Sequence, residues 1–182
     1  MFKRLFTALL LAVPFVAQAQ GATTVVILVR HAEKGTTPAN DPPLTEGGKA
    51  RAEALMAALA DANVQAVITT QFVRTRDTGK PVADAGRLTP EVVAAAAGGG
   101  HAQAVADAVR KHAGQTVLVV GHSNTVPAII AALGGPKMPD LCDSEYSALF
   151  TLVLDGSTAR LVRGSYGAAS PDPAATCGSL IR

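Results

Sequence analysis

The sequence predicts an α/β protein: a three-layer α/β/α sandwich built on a mainly parallel sheet. Continuous β-branched runs at residues 23–29 and 116–120 are typical of strands that are buried on both faces, as parallel strands are. Strand patterns alternate with helix patterns along the chain, and a hairpin pattern follows over residues 147–162. This order favours helices packed on both faces of one sheet.

The first elements are a strand, a loop and a helix. The strand over residues 23–29 reads TTVVILV, and residues 34–44 (KGTTPANDPPL) form a polar loop with three prolines. Thr45 is suited to cap a helix over residues 46–60 because its hydroxyl can accept a backbone N–H of the first turn.

A second strand and helix follow, and then the least regular stretch of the chain. QAVIT predicts a strand over residues 65–69, and a helix is expected over residues 72–85. We expect Pro81 to kink or restart that helix because proline lacks a backbone donor. Residues 86–100 include AAAAGGG and indicate either a frayed helix end or a loop.

The last elements complete the alternation. We expect a helix over residues 102–113, a core strand over 116–120 and a helix over 125–133, which Gly-Gly-Pro ends. Residues 147–154 and 158–162 are expected to form a hairpin around an Asp-Gly turn. No internal repeat or linker divides residues 20–182, so one domain is predicted.

The N-terminal segment has the three parts of a secretory signal peptide. Residues 1–19 combine Lys3 and Arg4, an apolar stretch and a small-x-small end, Ala-Gln-Ala. The alternative is a membrane anchor, but the apolar run is shorter than the roughly 20 residues that a spanning helix needs. We therefore expect an exported protein, periplasmic or extracellular, without a stable membrane anchor after cleavage.

Charge and composition argue against a nucleic-acid partner. The net charge is +2, and without Lys3 and Arg4 the basic and acidic residues are equal in number. Aromatic residues make up 4% and Trp is absent, which leaves few platforms for base stacking. The expected partner is a small molecule, and the sequence carries no pattern that predicts an oligomeric state.

The two cysteines, Cys142 and Cys177, are expected to form one disulfide. An even count in an exported chain favours pairing, although two free thiols are the alternative. Closure of this loop would add roughly 4 kcal/mol in the chain-entropy model.

Histidine and arginine follow the ends of the predicted strands. Arg30 and His31 follow the first strand, Arg74 comes soon after the second, and His122 follows the third. The carboxyl ends of parallel strands form one ligand-binding rim. Histidine can act as a nucleophile, and the arginine fork matches phosphate oxygens. The sequence therefore predicts a phosphoryl-transfer site.

Four segments resemble one family. RHAEK at residues 30–34 is similar to the Arg-His-Gly signature of the histidine phosphatase superfamily, which has the phosphoglycerate-mutase-like fold. LTEGGKARA at residues 44–52, TTQFVRTRDT at 69–78 and GHSNT at 121–125 resemble the family's later motifs in the same order. The resemblance implies a metal-independent phosphatase without a cofactor, acting on phosphomonoesters or related phosphoryl compounds.

The resemblance also implies roles for particular residues. His31 would be the nucleophile that becomes phosphohistidine, and Arg30, Arg74 and His122 would hold the phosphoryl oxygens. Two further phosphate-pocket candidates follow His122, with helix capping as their alternative role: Ser123 and Asn124.

The general acid is the main departure from the family pattern. Many members use an acidic residue after the helix of the second arginine, or an Asp directly after the second histidine, where this chain has Ser123. The acidic residues that could serve instead, with Glu145 and Glu91 preferred, are Asp84, Glu91, Asp143 and Glu145. If no dedicated acid exists, the chain could be a phosphate-binding module of the same fold with little or no turnover.

Other interpretations rest on the same residues. His31, Glu33 and His122 could ligate zinc, although the neighbouring arginines would repel a cation. A serine hydrolase with Ser123 as its nucleophile is another alternative, but GHSNT lacks the closing Gly of the G-x-S-x-G elbow. The remaining histidines and two aromatic residues are assigned structural positions: His101 and His112 at the surface, and Tyr146 and Phe150 in packing contacts.

Overall fold

The computed structural model describes residues 22–95 and 99–170. The predicted signal peptide over residues 1–19 and Cys177 lie outside the described residues, so export and the disulfide stay predictions. Within the described ranges no helix is long and apolar enough to span a membrane. The elements in chain order are β1 (Thr24–Arg30), α1 (Glu46–Ala58), β2 (Val64–Thr69), α2 (Val73–Gly86), β3 (Glu91–Val92), α3 (His101–Arg110), β4 (Thr116–Gly121), α4 (Thr125–Ala132), β5 (Ala148–Asp155) and β6 (Thr158–Ser165).

The six strands form one mixed sheet in the order β3-β2-β4-β1-β5-β6. β3, β2, β4 and β1 pair in parallel, while β5 is antiparallel to β1 and to β6. The predicted α/β class and the mainly parallel sheet are therefore confirmed, and the terminal hairpin supplies the antiparallel edge.

Helices cover both faces of this sheet. Val26 and Leu28 of β1 pack into a core with α3 and α4, whereas Ile27 and Val29 pack with α1 and α2. The alternation follows from the strand period of two, which sends successive side chains to opposite faces. The side chains on both faces of β1 are apolar because helices cover both faces. The strand therefore shows no alternation of apolar and polar residues.

Local chemistry explains two of the helices. Thr45 caps α1, since its Oγ1 accepts the N–H of Gly48 at 3.1 Å. α2 continues through Pro81, so the predicted restart of this helix was wrong. Proline removes one donor there, while the next two residues, Val82 and Ala83, are buried in the core and hold the helix against the sheet.

The irregular stretch before α3 contains a short strand. Glu91–Val92 pairs in parallel with Ile68 and Thr69 at the end of β2. Two residues are too few to leave a periodic signal, which is why the pattern indicated only a loop or a helix end. This strand extends the rim at which β1, β2 and β4 end.

Candidate active site

β1 and β4 bring two histidines side by side. The strands pair in register up to Arg30 and Gly121, and the His31 N–H donates to the Gly121 carbonyl at 2.9 Å. His122 follows Gly121, and the two imidazole rings meet edge-on with centroids 5.4 Å apart. Two predicted site residues from distant parts of the chain are thus in contact.

The environment of His31 leaves one ring nitrogen with a lone pair. Nδ1 lies 2.8 Å from the Ala32 carbonyl oxygen, which can only accept, so Nδ1 carries the proton and Nε2 does not. Burial lowers the pKa of His31 to about 4; its backbone hydrogen bond opposes this, and the charges of Arg30 and Arg74 assist it. At neutral pH the ring is therefore uncharged, as a nucleophile requires.

His122 is uncharged for similar reasons. Burial, followed by repulsion from His31 and Arg74, lowers its pKa to about 3. Its Nε2 lies 3.3 Å from the Thr70 hydroxyl, and its backbone N–H donates to Thr125 Oγ1 at 2.8 Å. The ring is held at the start of α4 with Nε2 toward the end of β2.

Arg30 is held by the segment before β5. Its Nη1 donates to the Cys142 carbonyl at 2.7 Å, and Nη2 lies 3.6 Å from Asp143, a side chain that is fully exposed. The guanidinium lies 4.3 Å from the centre of the Tyr146 ring, a distance at which cation–π attraction is favourable. The ring of Tyr146 is also 6.3 Å from that of His31.

Arg74 has a matching arrangement on the other side of the histidines. Its guanidinium lies 4.1 Å from the centre of the Phe72 ring, and this ring meets His122 edge-on at 5.5 Å. Nη1 lies 3.5 Å from Asp41, whose carboxylate also accepts the Val73 N–H at the start of α2. Burial lowers the pKa of Arg74, against the attraction of Asp41.

Both arginines keep one buried donor unused. The Nε atoms of Arg30 and Arg74 are buried and have no hydrogen-bond partner among the residues that the structure describes. A buried donor without a partner is costly, so such groups usually face a ligand. Two N–H donors from cationic side chains beside His31 suit a tetrahedral anion.

The loop after His31 is fixed by an ion pair between partly exposed Glu33 and buried Arg51. Arg51 binds both carboxylate oxygens of Glu33 at 2.8–2.9 Å and donates to the carbonyls of Tyr166 and Ala168. Glu33 is therefore committed to Arg51. Within residues 22–95 and 99–170, no group of three or more His, Cys, Asp or Glu side chains could hold a metal ion.

The other predicted site residues have different surroundings. The Ser123 carbonyl accepts the Leu141 N–H at 3.0 Å, which connects the rim to the segment before β5. Asn124 is exposed and its side chain makes no capping bond to α4. Neither observation tests their predicted phosphate contact.

The two preferred acids have partners outside the histidine pair. The Glu145 carboxylate is buried and pairs with Arg163 of β6. Glu91 pairs with Lys111 and with Nε2 of His112, beyond the end of α3. Both carboxylates are thus engaged by basic side chains other than those of the predicted site.

Sequence reasoning missed one residue and misplaced another. Asp41 lies in the proline-rich loop, where no pattern distinguished it from its polar neighbours. Tyr146 packs, as expected, but against Arg30 and beside His31; Phe150 is fully buried. His101 is 8% exposed, so its predicted surface position was wrong. His101 is buried between exposed and half-buried neighbours at the start of α3, a tertiary effect that the alanine-rich sequence does not encode.

The sequence pattern of the first elements matches a known family over part of the chain. Residues 26–96 match the model of the Histidine phosphatase superfamily (branch 1). This segment has the sequence pattern of that superfamily. The matched segment contains Arg30, His31 and Arg74, whereas His122 lies beyond it and joins the site through the pairing of β1 with β4.

Several solved structures share the fold of this chain. The protein histidine phosphatase SixA complexed with tungstate is 22% identical, with a TM-score of 0.63 over 78% of this chain and 96% of that chain. YhfR of Bacillus stearothermophilus is 22% identical, with a TM-score of 0.60 over 76% and 95%. A mycobacterial glucosyl-3-phosphoglycerate phosphatase is 14% identical, with a TM-score of 0.60 over 81% and 100%. No curated protein shows significant sequence similarity to the chain.

Proposed function

We propose that this protein is a phosphatase that transfers a phosphoryl group to Nε2 of His31 and then to water. The observation that carries the proposal is the pair of buried, unpartnered Nε donors of Arg30 and Arg74 beside a histidine whose Nε2 is unprotonated. A phosphoryl group between the arginines would accept both N–H groups and receive the attack of that nitrogen.

The first step forms the phosphohistidine. The Nε2 lone pair of His31 attacks phosphorus, the bond to the leaving oxygen breaks, and charge accumulates on the equatorial oxygens. Arg30 and Arg74 stabilise that charge, and stacking on Tyr146 and Phe72 fixes their guanidinium planes before substrate arrives. The proton on Nδ1 stays bonded to the Ala32 carbonyl, which supports the ring as it becomes cationic.

The second step returns the enzyme to its starting state. A water oxygen attacks phosphorus from the side that the alcohol has left, the bond to Nε2 breaks, and inorganic phosphate departs. We propose that His122, which lies edge-on to His31, donates a hydrogen bond to the phosphoryl oxygens in both steps. The arginines serve both steps because the transferred group stays between them.

The comparisons support an oxyanion substrate without naming it. The SixA structure holds tungstate, which is an oxyanion like phosphate, and that protein is described as a protein histidine phosphatase. The mycobacterial structure is described as a phosphatase of a sugar-linked phosphoglycerate. For this chain we propose a small phosphorylated substrate, a phosphomonoester or a related phosphoryl compound, and no metal requirement.

Phosphate release from p-nitrophenyl phosphate tests the proposal. The wild type should release phosphate in the presence of chelator, and His31→Ala should reduce the rate to background while keeping the fold. His112→Ala is the matched control, because this histidine lies beyond α3 and contacts Glu91 and Gln115. Activity of the His31→Ala variant equal to the wild type would refute the mechanism. Loss of activity with chelator would refute metal independence. Phosphate binding without release would indicate the binding-module alternative.

We further propose that the protein is exported. The signal-peptide pattern of residues 1–19 supports this, and the mature chain would begin at Gln20. Mass spectrometry of protein from the periplasmic or culture fraction should find that N-terminus, together with a peptide linked through Cys142 and Cys177. Intact residues 1–19 on a membrane-bound protein would contradict export.

A further inference from the structure

The proposed reaction leaves one proton unassigned. A leaving alkoxide or phenoxide needs a proton donor, and two carboxylates contact the arginines of the site. Asp41 accepts the Val73 N–H and pairs with Arg74, and Asp143 is fully exposed beside Arg30. The Asp41 carboxylate is thus occupied as an acceptor, and that of Asp143 lies in solvent.

A third histidine is buried at the same rim. His101 is the first residue of α3 and is 8% exposed. Its Nδ1 lies 3.1 Å from the Ala94 carbonyl, so Nδ1 carries the proton. Its Nε2 is buried without a hydrogen-bond partner in the described part of the chain. An imidazole held at one nitrogen with the other unused has the form of a proton-transfer group.

A series of hydrogen bonds connects this histidine to the site. The Val93 N–H donates to the Thr69 carbonyl at 2.9 Å. The Gln71 side chain binds both backbone groups of Ala95, at 2.8 and 3.3 Å. Between Thr69 and Gln71 lies Thr70, whose hydroxyl contacts Nε2 of His122. The segment that holds His101 is therefore attached to the residues that hold His122.

The helices agree with this placement. α3 and α4 pack against each other, and each leads from the rim where the parallel strands end. Their first residues, His101 and Thr125, thus lie on the side of the sheet edge that carries His31. A positive charge on His101 is also among the causes that lower the pKa of His122, so the two rings interact electrostatically.

We propose that His101 is the proton-transfer residue of the reaction, a role that rests on the proposed function. A protonated His101 gives its Nε2 proton to the leaving oxygen as the P–O bond breaks and the bond to His31 Nε2 forms. The alcohol departs neutral. Water then attacks phosphorus and gives one proton to Nε2 of His101, the N–P bond breaks, and hydrogen phosphate leaves. The cycle ends with both histidines as they began.

The dependence on the leaving group tests this assignment. p-Nitrophenol leaves as a stable anion and needs little protonation, whereas phenol needs more. His101→Asn keeps an amide N–H for the Ala94 carbonyl and removes the titratable nitrogen. We expect kcat/KM to fall about 100-fold for phenyl phosphate, and much less for p-nitrophenyl phosphate. His101→Gln should show the same trend, and decides the matter if the first variant does not fold.

Three outcomes separate the possibilities. Equal losses on both esters would assign His101 a structural role and overturn the proposal, and so would no loss on either. His112→Asn is the control and should keep the wild-type kcat/KM on both. If the His31→Ala variant is as active as the wild type, the phosphohistidine route is refuted. The role of His101 rests on that route and is then refuted as well.

Discussion

The imidazole rings of His31 and His122 meet edge-on with centroids 5.4 Å apart, at the ends of two paired strands. Burial lowers the pKa of each, to about 4 and about 3. Both rings are therefore neutral at pH 7, and the positive charge of the site comes from Arg30 and Arg74. That charge matches a phosphoryl dianion, while the neutral His31 keeps its nucleophilic lone pair.

These two histidines make stability fall as pH decreases. Both pKa values are depressed below the ordinary value of 6.5, so the unfolded chain binds protons that the folded chain does not. Between pH 6.5 and about 4 each histidine should reduce the free energy of unfolding by roughly 1.4 kcal/mol per pH unit. Urea unfolding of the wild type at pH 7, 6 and 5 measures the slope. His31→Asn should decrease it by about half, and an unchanged slope would show that His31 is not buried neutral.

Arg74→Ala should mainly decrease kcat. The guanidinium is stacked on Phe72 with its Nε unused, so its best hydrogen bonds form with the charge that develops in the transition state. We expect a loss of about 100-fold, as for removal of one oxyanion donor. Steady-state kinetics with p-nitrophenyl phosphate provide the measurement. Arg76→Ala, two residues away on the exposed side of α2, should stay close to wild type. A change in KM alone would mean that Arg74 binds substrate and transition state equally.

The fold could be predicted because its main signal is local. Continuous apolar runs can be read directly as buried parallel strands, and the rim location follows from the strand direction alone. The histidine and arginine candidates therefore lie close together at this rim once the strands are paired. β3 was missed because two residues give no periodicity. As a result, the position of the segment between β3 and α3, and the burial of His101 that follows it, were missed as well.

The unpredicted part of the site depends on loops. Asp41 reaches Val73 and Arg74 from a proline-rich loop, a contact between residues more than 30 positions apart that no spacing rule anticipates. His101 is buried because the segment after β3 is fixed by Gln71. We predicted a surface position for α3. An alanine-rich helix can be either exposed or buried, so its composition gave no signal that His101 is buried.

Loss of the Arg51–Glu33 pair should destabilise the protein. Arg51 is buried and donates to Glu33 and to the carbonyls of Tyr166 and Ala168. Arg51→Met would leave Glu33 and two carbonyls without this partner, and we expect a cost of about 3 kcal/mol, the low end for buried pairs. The comparison is Lys49→Met, which breaks an exposed pair with Glu46 and should cost at most about 0.5 kcal/mol. Urea unfolding checks both, and equal costs would contradict a structural role for Arg51.

Two adjacent glycines in α1 should respond oppositely to alanine. A Cβ on Gly48 would lie 2.1 Å from the Glu33 carbonyl oxygen and 3.0 Å from its carbon, so backbone would have to move. A Cβ on Gly47 would have its nearest neighbour, Thr45 Oγ1, at 3.7 Å. Alanine also restricts the unfolded chain, so Gly47→Ala should be neutral or stabilise by roughly 0.5 kcal/mol.

The Gly48 substitution should affect the site as well as stability. The Glu33 peptide follows His31 by two residues, so its displacement changes the position of the nucleophile between the arginines. We expect Gly48→Ala to cost about 2 kcal/mol and to decrease kcat more than KM, whereas Gly47→Ala should leave kcat unchanged. Unfolding midpoints and steady-state kinetics on the pair provide the measurement. If Gly48→Ala is as stable and active as Gly47→Ala, the close approach of α1 to the loop after His31 does not position the nucleophile.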